Sequence, residues 1–280
     1  MRFYDAHNHL QDERLQPHLP AILPTLVDAG IARMVVNGSG EADWPSVRAL
    51  AERCPLVLPS FGCHPWYVHE RSPHWQAELL RHLDVGPAAI GEIGLDKWIL
   101  EPGRAGSLGL STPASLPEQE EVFVWQLQLA ARRNLPASIH CLHAWGALFE
   151  MLRREPRPVC GFVLHSYGGP REMVVPLARL GAYFSLPGYF AHARKHRQRE
   201  AFLAVPPDRL LIETDAPDQL LPAERNQHPL TDAATGKSLN HPANLRAVYE
   251  FAAELYGEPL ERLAQRVGEN FHRVFGHVST

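Results

Sequence analysis

Hydrophobic residues in this chain fall into two alternating patterns. Short, mostly apolar runs occupy 2–7, 33–37, 56–62, 89–95, 137–141, 162–166, 182–186 and 210–214. Several are apolar on both faces, which predicts parallel strands sandwiched between helices. Segments with helical spacing lie between them, at 19–29, 118–133, 148–154, 171–180, 192–203 and 244–255. In 118–133, for example, Val122, Phe123, Gln126, Leu127 and Ala130 share one face, and the pattern stops before Asn134 and Pro136. Parallel neighbours need long crossovers, usually helical. Strand followed by helix through eight rounds predicts an α/β fold, a single (β/α)8 barrel spanning 1–280.

Two stretches break the rhythm. Residues 101–117 are rich in Gly, Ser and Pro, and 217–240 are polar and Pro-rich. Each follows a predicted strand, the side on which such barrels build their active sites, so both are expected to face substrate. No repeat, low-complexity tract or shift in composition marks a second domain.

Composition adds bounds rather than detail. The 280 residues are 45% hydrophobic and 21% charged, ordinary for a globular protein. The formal net charge of −4 gives no general attraction to nucleic acid, which would need a local basic patch or bound metal. The first residues run straight into polar positions, and no apolar run approaches the roughly 18 residues of a spanning helix. Cys54, Cys63, Cys141 and Cys160 are scattered without paired spacing, as expected of free thiols in a reducing compartment. A cytoplasmic protein without membrane association is the expectation.

The sixteen histidines matter for where they fall. His7 and His9, Glu92, His140, His165 and Asp215 stand at or just beyond predicted strand ends, which converge on one mouth in a barrel. His7 and His9, two apart on a strand, share a side and can grip one ion. Glu92 closes an apolar strand, where a carboxylate is costly unless paired or coordinated; its two oxygens can bridge two metals about 3.5–4 Å apart. Asp215 is placed to bind a metal and to take a proton from an attacking water. Imidazoles with carboxylates suit zinc, manganese, nickel or iron, and magnesium less well.

The order HxH, GEIGLD, IH, LH, ETDAP resembles the TatD family of metal-dependent deoxyribonucleases, among the amidohydrolase-like barrels. Gly62-Cys63-His64-Pro65, Gln119 to Gln126-Leu127, Gly236-Lys237 before Asn240-His241-Pro242, and Glu269-Asn270-Phe271 with Val274-Phe275 extend the resemblance along essentially the whole chain. It implies two divalent metal ions: one on His7, His9 and Asp215, the other on His140 and His165, with Glu92 bridging. It also implies a substrate-binding role for His64, whose alternative is a turn cap before Pro65.

The chain departs from that family in places. Leu142 and His143 stand where relatives often carry an arginine and an aspartate, so a cation expected near a substrate phosphate is missing. The position after Asn240, often acidic, is His241. The basic segment from His192 to Arg199 can compensate if it reaches the mouth; otherwise it is a solvated helix face. The leading expectation is a 3'-5' exonuclease-like phosphodiester hydrolase acting on single-stranded DNA ends through a hydroxide held between the metals, with Asp215 and Glu92 catalytic. The alternative is ester or amide hydrolysis on the same barrel, such as removal of an amino acid from transfer RNA. A purely partner-binding barrel is disfavoured because all six ligand positions are filled.

Overall fold

The computed structural model describes residues 1–110 and 112–278; Ser111, within the expected loop at 101–117, and residues 279–280 lie outside the described residues. Eight parallel strands form one sheet in chain order: β1 (Phe3–Asn8), β2 (Ile31–Gly38), β3 (Val57–Phe61), β4 (Ala89–Asp96), β5 (Ala137–Leu142), β6 (Phe162–Leu164), β7 (Ala182–Pro187) and β8 (Leu210–Glu213). All eight were expected from the apolar runs, with ends shifted by a residue or two. The barrel closes where the Asp215 N–H donates to the His7 carbonyl and the His9 N–H to that of Ala216.

Helices cover the outside: α1 (Leu19–Asp28), α2 (Trp44–Arg53), α3 (Trp75–Asp84), α4 (Arg104–Ser107), α5 (Leu116–Arg133), α6 (Trp145–Arg154), α7 (Val174–Arg179), α8 (His196–Phe202), α9 (Leu245–Tyr256) and α10 (Leu260–Phe275). The segment at 192–203 is helical only in its second half, after two 3₁₀ turns. The loop at 101–117 includes the single turn α4 and the start of α5, and 217–240 contains a small antiparallel hairpin, β9 (Pro229–Thr231) with β10 (Ser238–Asn240).

The core has two layers. Outward strand residues such as Phe3, Met34, Ile90, Ile139 and Phe184 pack against the helices. Inward residues Ala6, Val35, Leu58, Ala89, Val163, Tyr183 and Leu211 fill the barrel, as the alternating direction of strand side chains dictates. Phe271, Val274 and Phe275 of α10 join that inner cluster beside Tyr4, whose ring lies 5.0 Å from Phe271. The barrel is thus packed solid towards the strand N-termini and open only at the other end.

Register shifts interrupt β1 between Asp5 and Asn8 and β4 between Ile90 and Glu92. Bulges of this kind re-aim side chains, and here they occur on strands carrying His7 and Glu92. Glycines permit the close fit. A Cβ on Gly91 would stand 2.6 Å from the Gly62 nitrogen, and one on Gly94, at φ +144°, would stand 2.0 Å from the His140 carbonyl oxygen.

The hairpin loop is tied to the barrel by Asn240, whose amide donates to the Thr214 carbonyl at 2.8 Å. Beside it, His241 Nδ1 accepts the Ala243 N–H at 3.0 Å, and its ring stacks on that of His228. Burial, with His228 and His18 nearby, lowers His241 to about 4.

Two outcomes are expected. Gly94→Ala should destabilise the protein by at least about 3 kcal/mol in chemical denaturation, because strained φ and backbone overlap coincide, whereas Gly106→Ala, with open space around it, should be neutral. His241 resists protonation in the fold, so its contribution is complete above its ordinary value of 6.5 and is lost as pH falls towards 4. His241→Asn keeps a cap acceptor without the titration. Its unfolding free energy, followed from pH 7 to 4, should therefore decline less than that of the wild type; parallel curves would refute the assignment.

Candidate metal centre

All seven residues singled out in the sequence meet at the open end of the barrel. His7 Nε2 and His9 Nε2 are 3.2 Å apart, and Asp215 Oδ1 lies 3.5 and 3.6 Å from them. His140 Nδ1 and His165 Nε2 are 3.1 Å apart on the other side. That spacing is close to the edge of a tetrahedron of nitrogens around an ion at about 2.0–2.1 Å, roughly 3.3 Å. Glu92 lies between the groups. Its Oε2 is 3.3 Å from His9, while Oε1 is 3.1 Å from His140, 2.9 Å from His165 and 3.3 Å from His64.

Hydrogen bonds on the far sides of the rings decide which nitrogen faces inward with a lone pair. His9 Nδ1 donates to the Asn37 carbonyl at 2.8 Å, leaving Nε2 free to accept or ligate. His140 Nε2 donates to Asp96 Oδ2 at 3.2 Å, which makes Nδ1 the inward nitrogen: protonated, it donates to Glu92, and without that proton it offers a lone pair to a metal. Such outer partners are what hold a ligating imidazole in its tautomer. His7 Nδ1 shares a hydrogen with Ser138 Oγ at 2.6 Å. His64 is the reverse. Its Nδ1 accepts the Trp66 N–H at 3.2 Å, so Nε2 carries the hydrogen and points it at Glu92. The two expectations for His64, turn cap and substrate contact, are therefore compatible: the cap creates the inward N–H.

The charges are mutually adjusted. Burial alone would raise Glu92, but the His64 and His165 rings and hydrogen bonds from His140 and His165 hold it well below the usual carboxylate range. His9 loses by burial yet is raised to about 9 by its hydrogen bond to Glu92 and the charges of Glu92 and Asp215. His7 is held well below its usual value by burial and by His165. Burial pushes Asp215 up to about 7, against the pull of His165 and His9. The carboxylates that favour a proton on His9 equally favour a metal cation in its place.

Several supporting residues were given no role in the sequence reading. Asp96 holds His140 and also accepts from Trp66 Nε1 at 2.5 Å. Fully buried Glu213 accepts the hydroxyls of Ser166 and Ser185. Gln219 donates to Asp215 Oδ2 at 2.7 Å, leaving Oδ1 to face the histidines. From α5, Gln126 pairs with both backbone groups of Cys63, next to His64, and Gln119 with both of Asp96. Their polar side chains on an apolar helix face were the available clue.

The centre opens into a cavity of about 1120 Å³. Trp66, Tyr67, Trp75, Trp145 and Tyr189 supply aromatic walls, and Leu142, 37% exposed, adds an apolar side chain. His143 turns to Glu101 in the loop after β4, at 3.1 Å.

Comparison with known proteins agrees with this geometry. The family model described as "TatD related DNase" matches residues 4–276. The chain belongs to the TatD family. It is 31% identical over 280 residues to the uncharacterised metal-dependent hydrolase YcfH of Escherichia coli, covering 98% of this chain and 96% of that one. It is 32% identical over 254 residues to a protein of Escherichia fergusonii named 3'-5' ssDNA/RNA exonuclease TatD, covering 89% of each. The crystal structure of the TatD homologue YjjV of Escherichia coli superposes with a TM-score of 0.83 at 26% identity, covering 98% of both chains. The present protein is accordingly a TatD-type metal-dependent hydrolase.

His64→Asn separates the two features of this residue. It keeps a cap acceptor for Trp66 but withdraws the inward N–H, so thermal stability should stay within about 2 °C while kcat/KM falls by about 100-fold. His64→Ala should lose activity and, in addition, about 1 kcal/mol of stability. Full activity in both variants would exclude His64 from the chemistry.

Proposed function

We propose that this TatD-type hydrolase cleaves phosphodiester bonds at the ends of single nucleic-acid strands, single-stranded DNA foremost. The observation that carries the reading is Glu92, with one carboxylate oxygen turned to each of two donor groups. In this reading His7, His9 and Asp215 would hold one divalent ion and His140 and His165 a second, with Glu92 available to both. When bound, such ions act as Lewis acids on a phosphoryl oxygen and make water acidic enough to serve as a nucleophile at neutral pH.

The remaining work belongs to the chain. Asp215, with Oδ2 fixed by Gln219, presents Oδ1 beside His7 and His9 as the group that takes the water's proton. The His64 N–H is aimed at the same centre and donates to a phosphoryl oxygen as charge builds there. A centre at the base of a cavity that is closed below suits a free strand end, which can enter it from the mouth. The exonuclease name of the Escherichia fergusonii relative supports the same substrate class.

A second reading keeps the centre and changes the bond. Leu142 and the tryptophans give the mouth an apolar wall suited to an acyl group, as in ester or amide hydrolysis, including deacylation of aminoacyl transfer RNA.

End-labelled single-stranded DNA, incubated with a series of divalent metals, distinguishes the two. Wild-type protein should shorten it stepwise only with added metal, and Glu92→Ala should be at least about 1,000-fold slower. Intact cleavage by His140→Ala or Asp215→Ala would remove the proposed ligands from the reaction. Turnover of a carboxylic ester, with no shortening by demonstrably metal-loaded protein, would favour the second reading.

A further inference from the structure

The rim of the cavity is electrostatically lopsided. Asp12 and Glu13 follow β1, Glu41 and Asp43 follow β2, and Glu70 precedes Arg71 after β3. Arg14, on the same side, is committed to Asp12 and Asp218 at 2.7 and 2.8 Å. A polyanion crossing this side meets more carboxylates than the two cations there, Arg14 and Arg71, can offset. The rim beyond β5 and β6 offers Leu142, Trp145 and Gly168, with no fixed cation lining the cavity there among the described residues.

The segment after β7 is different. Its chain leaves the barrel at Pro187, turns through Gly188–Ala191, and delivers Arg194, Lys195 and Arg197 within four residues. Only part of the expected basic helix face is simply solvated. Arg194 and Arg197 are exposed, and Arg199 is spent on the carbonyls of Phe190 and His192. Lys195 is half-buried and lines the cavity. Its ammonium rests 4.5 Å from the centre of the Tyr189 ring, and the Arg194 guanidinium lies 5.2 Å from the same ring. Among the described residues neither Lys195, Arg194 nor Arg197 has a carboxylate within 4 Å, since the ion pairs present engage other cations.

A cation held over an aromatic face gains on the order of 0.5–1 kcal/mol at an exposed site, far less than a charge-assisted hydrogen bond to phosphate. Tyr189 therefore positions Lys195 without satisfying it. We propose that the β7–α8 rim is the track along which a single nucleic-acid strand approaches the centre, and that Lys195 grips a backbone phosphate upstream of the scissile bond. It takes over, from the opposite side of the mouth to β3, the attraction that Leu142 does not provide. This assignment rests on the phosphodiesterase reading.

The test compares wild-type, Lys195→Gln, Lys195→Arg and Arg71→Gln proteins, all metal-loaded, on a labelled single-stranded 12-nucleotide DNA across a salt series. A small diester, bis(p-nitrophenyl) phosphate, serves in parallel because it carries no phosphate upstream of the scissile bond. Each phosphate contact with a single strand contributes about 0.7 to the slope of log affinity against log salt. Lys195→Gln should raise KM for the oligonucleotide about 5-fold at low salt and lower that slope by about 0.7, with turnover of the small diester unchanged. Lys195→Arg should stay near wild type. If wild-type protein cleaves the oligonucleotide but Lys195→Gln leaves both KM and slope unaltered, or if Arg71→Gln alone lowers the slope, the track is overturned while the phosphodiesterase reading stands. If wild-type protein cleaves no oligonucleotide at all, the reading fails first and the track with it.

Discussion

The seam between the first and last strands is the constraint on which the centre depends. Asp5, fully buried, accepts from the N–H groups of His7 and Thr214 through one oxygen and from the Thr214 hydroxyl through the other. Immediately above it the backbones of His7 and Asp215, and of His9 and Ala216, join. The residues that close the barrel are the neighbours of those that form the first donor group, or are those residues themselves. Asp215 sits in the left-handed region at φ +53°, a conformation of some cost that the surrounding hydrogen bonds hold in place. Closure of the fold and assembly of His7, His9 and Asp215 are thus one event, although His7 and Asp215 are 208 positions apart in the sequence.

This explains what was legible in the sequence. Strands buried on both faces are written as apolar runs, and a polar residue ending such a run has few reasons to be there other than chemistry. That logic found His7, His9, Glu92, His140, His165 and Asp215 without any geometry. Their supporting partners escaped it. Asp96 lies one residue past a run already used to place Glu92, Glu213 reads as an unremarkable residue two before Asp215, and the Asn37 contribution is a backbone carbonyl. A hydrogen bond between side chains far apart in sequence leaves no periodicity. Helices α2, α3 and α10 were not among the expected helices, although α10, 16 residues long, is strongly amphipathic; the 171–180 and 192–203 patterns are partly 3₁₀ turns, because short segments carry weak signals at their boundaries.

Histidine tautomers carry much of the division of labour. His64 and His241 each precede proline and each accept a backbone N–H two residues on through Nδ1. The same local device has different results. Before Pro65, at the end of β3, it projects an N–H towards Glu92; before Pro242 it fixes the base of the hairpin loop. His9 and His140 instead donate outward and turn the other nitrogen inward. Sequence supplies the identical residue in all four places, and only the partner behind the ring distinguishes donor from ligand.

Packing five imidazoles and two carboxylates into a buried space opposes folding, because each is desolvated and neighbours of like charge are forced into unlike protonation states. The barrel tolerates this because its hydrophobic filling lies in the other half, around Val35, Leu58, Tyr183 and α10. Stability and chemistry are separated along the barrel axis. The same separation leaves the rim free to vary: Leu142 at the end of β5 and Lys195 over Tyr189 after β7 shape the mouth without touching the filled core. The side chains that set the character of the mouth therefore stand at the strand ends and in the loops beyond them, whereas the donor groups suited to metal stand on or just past the strands themselves.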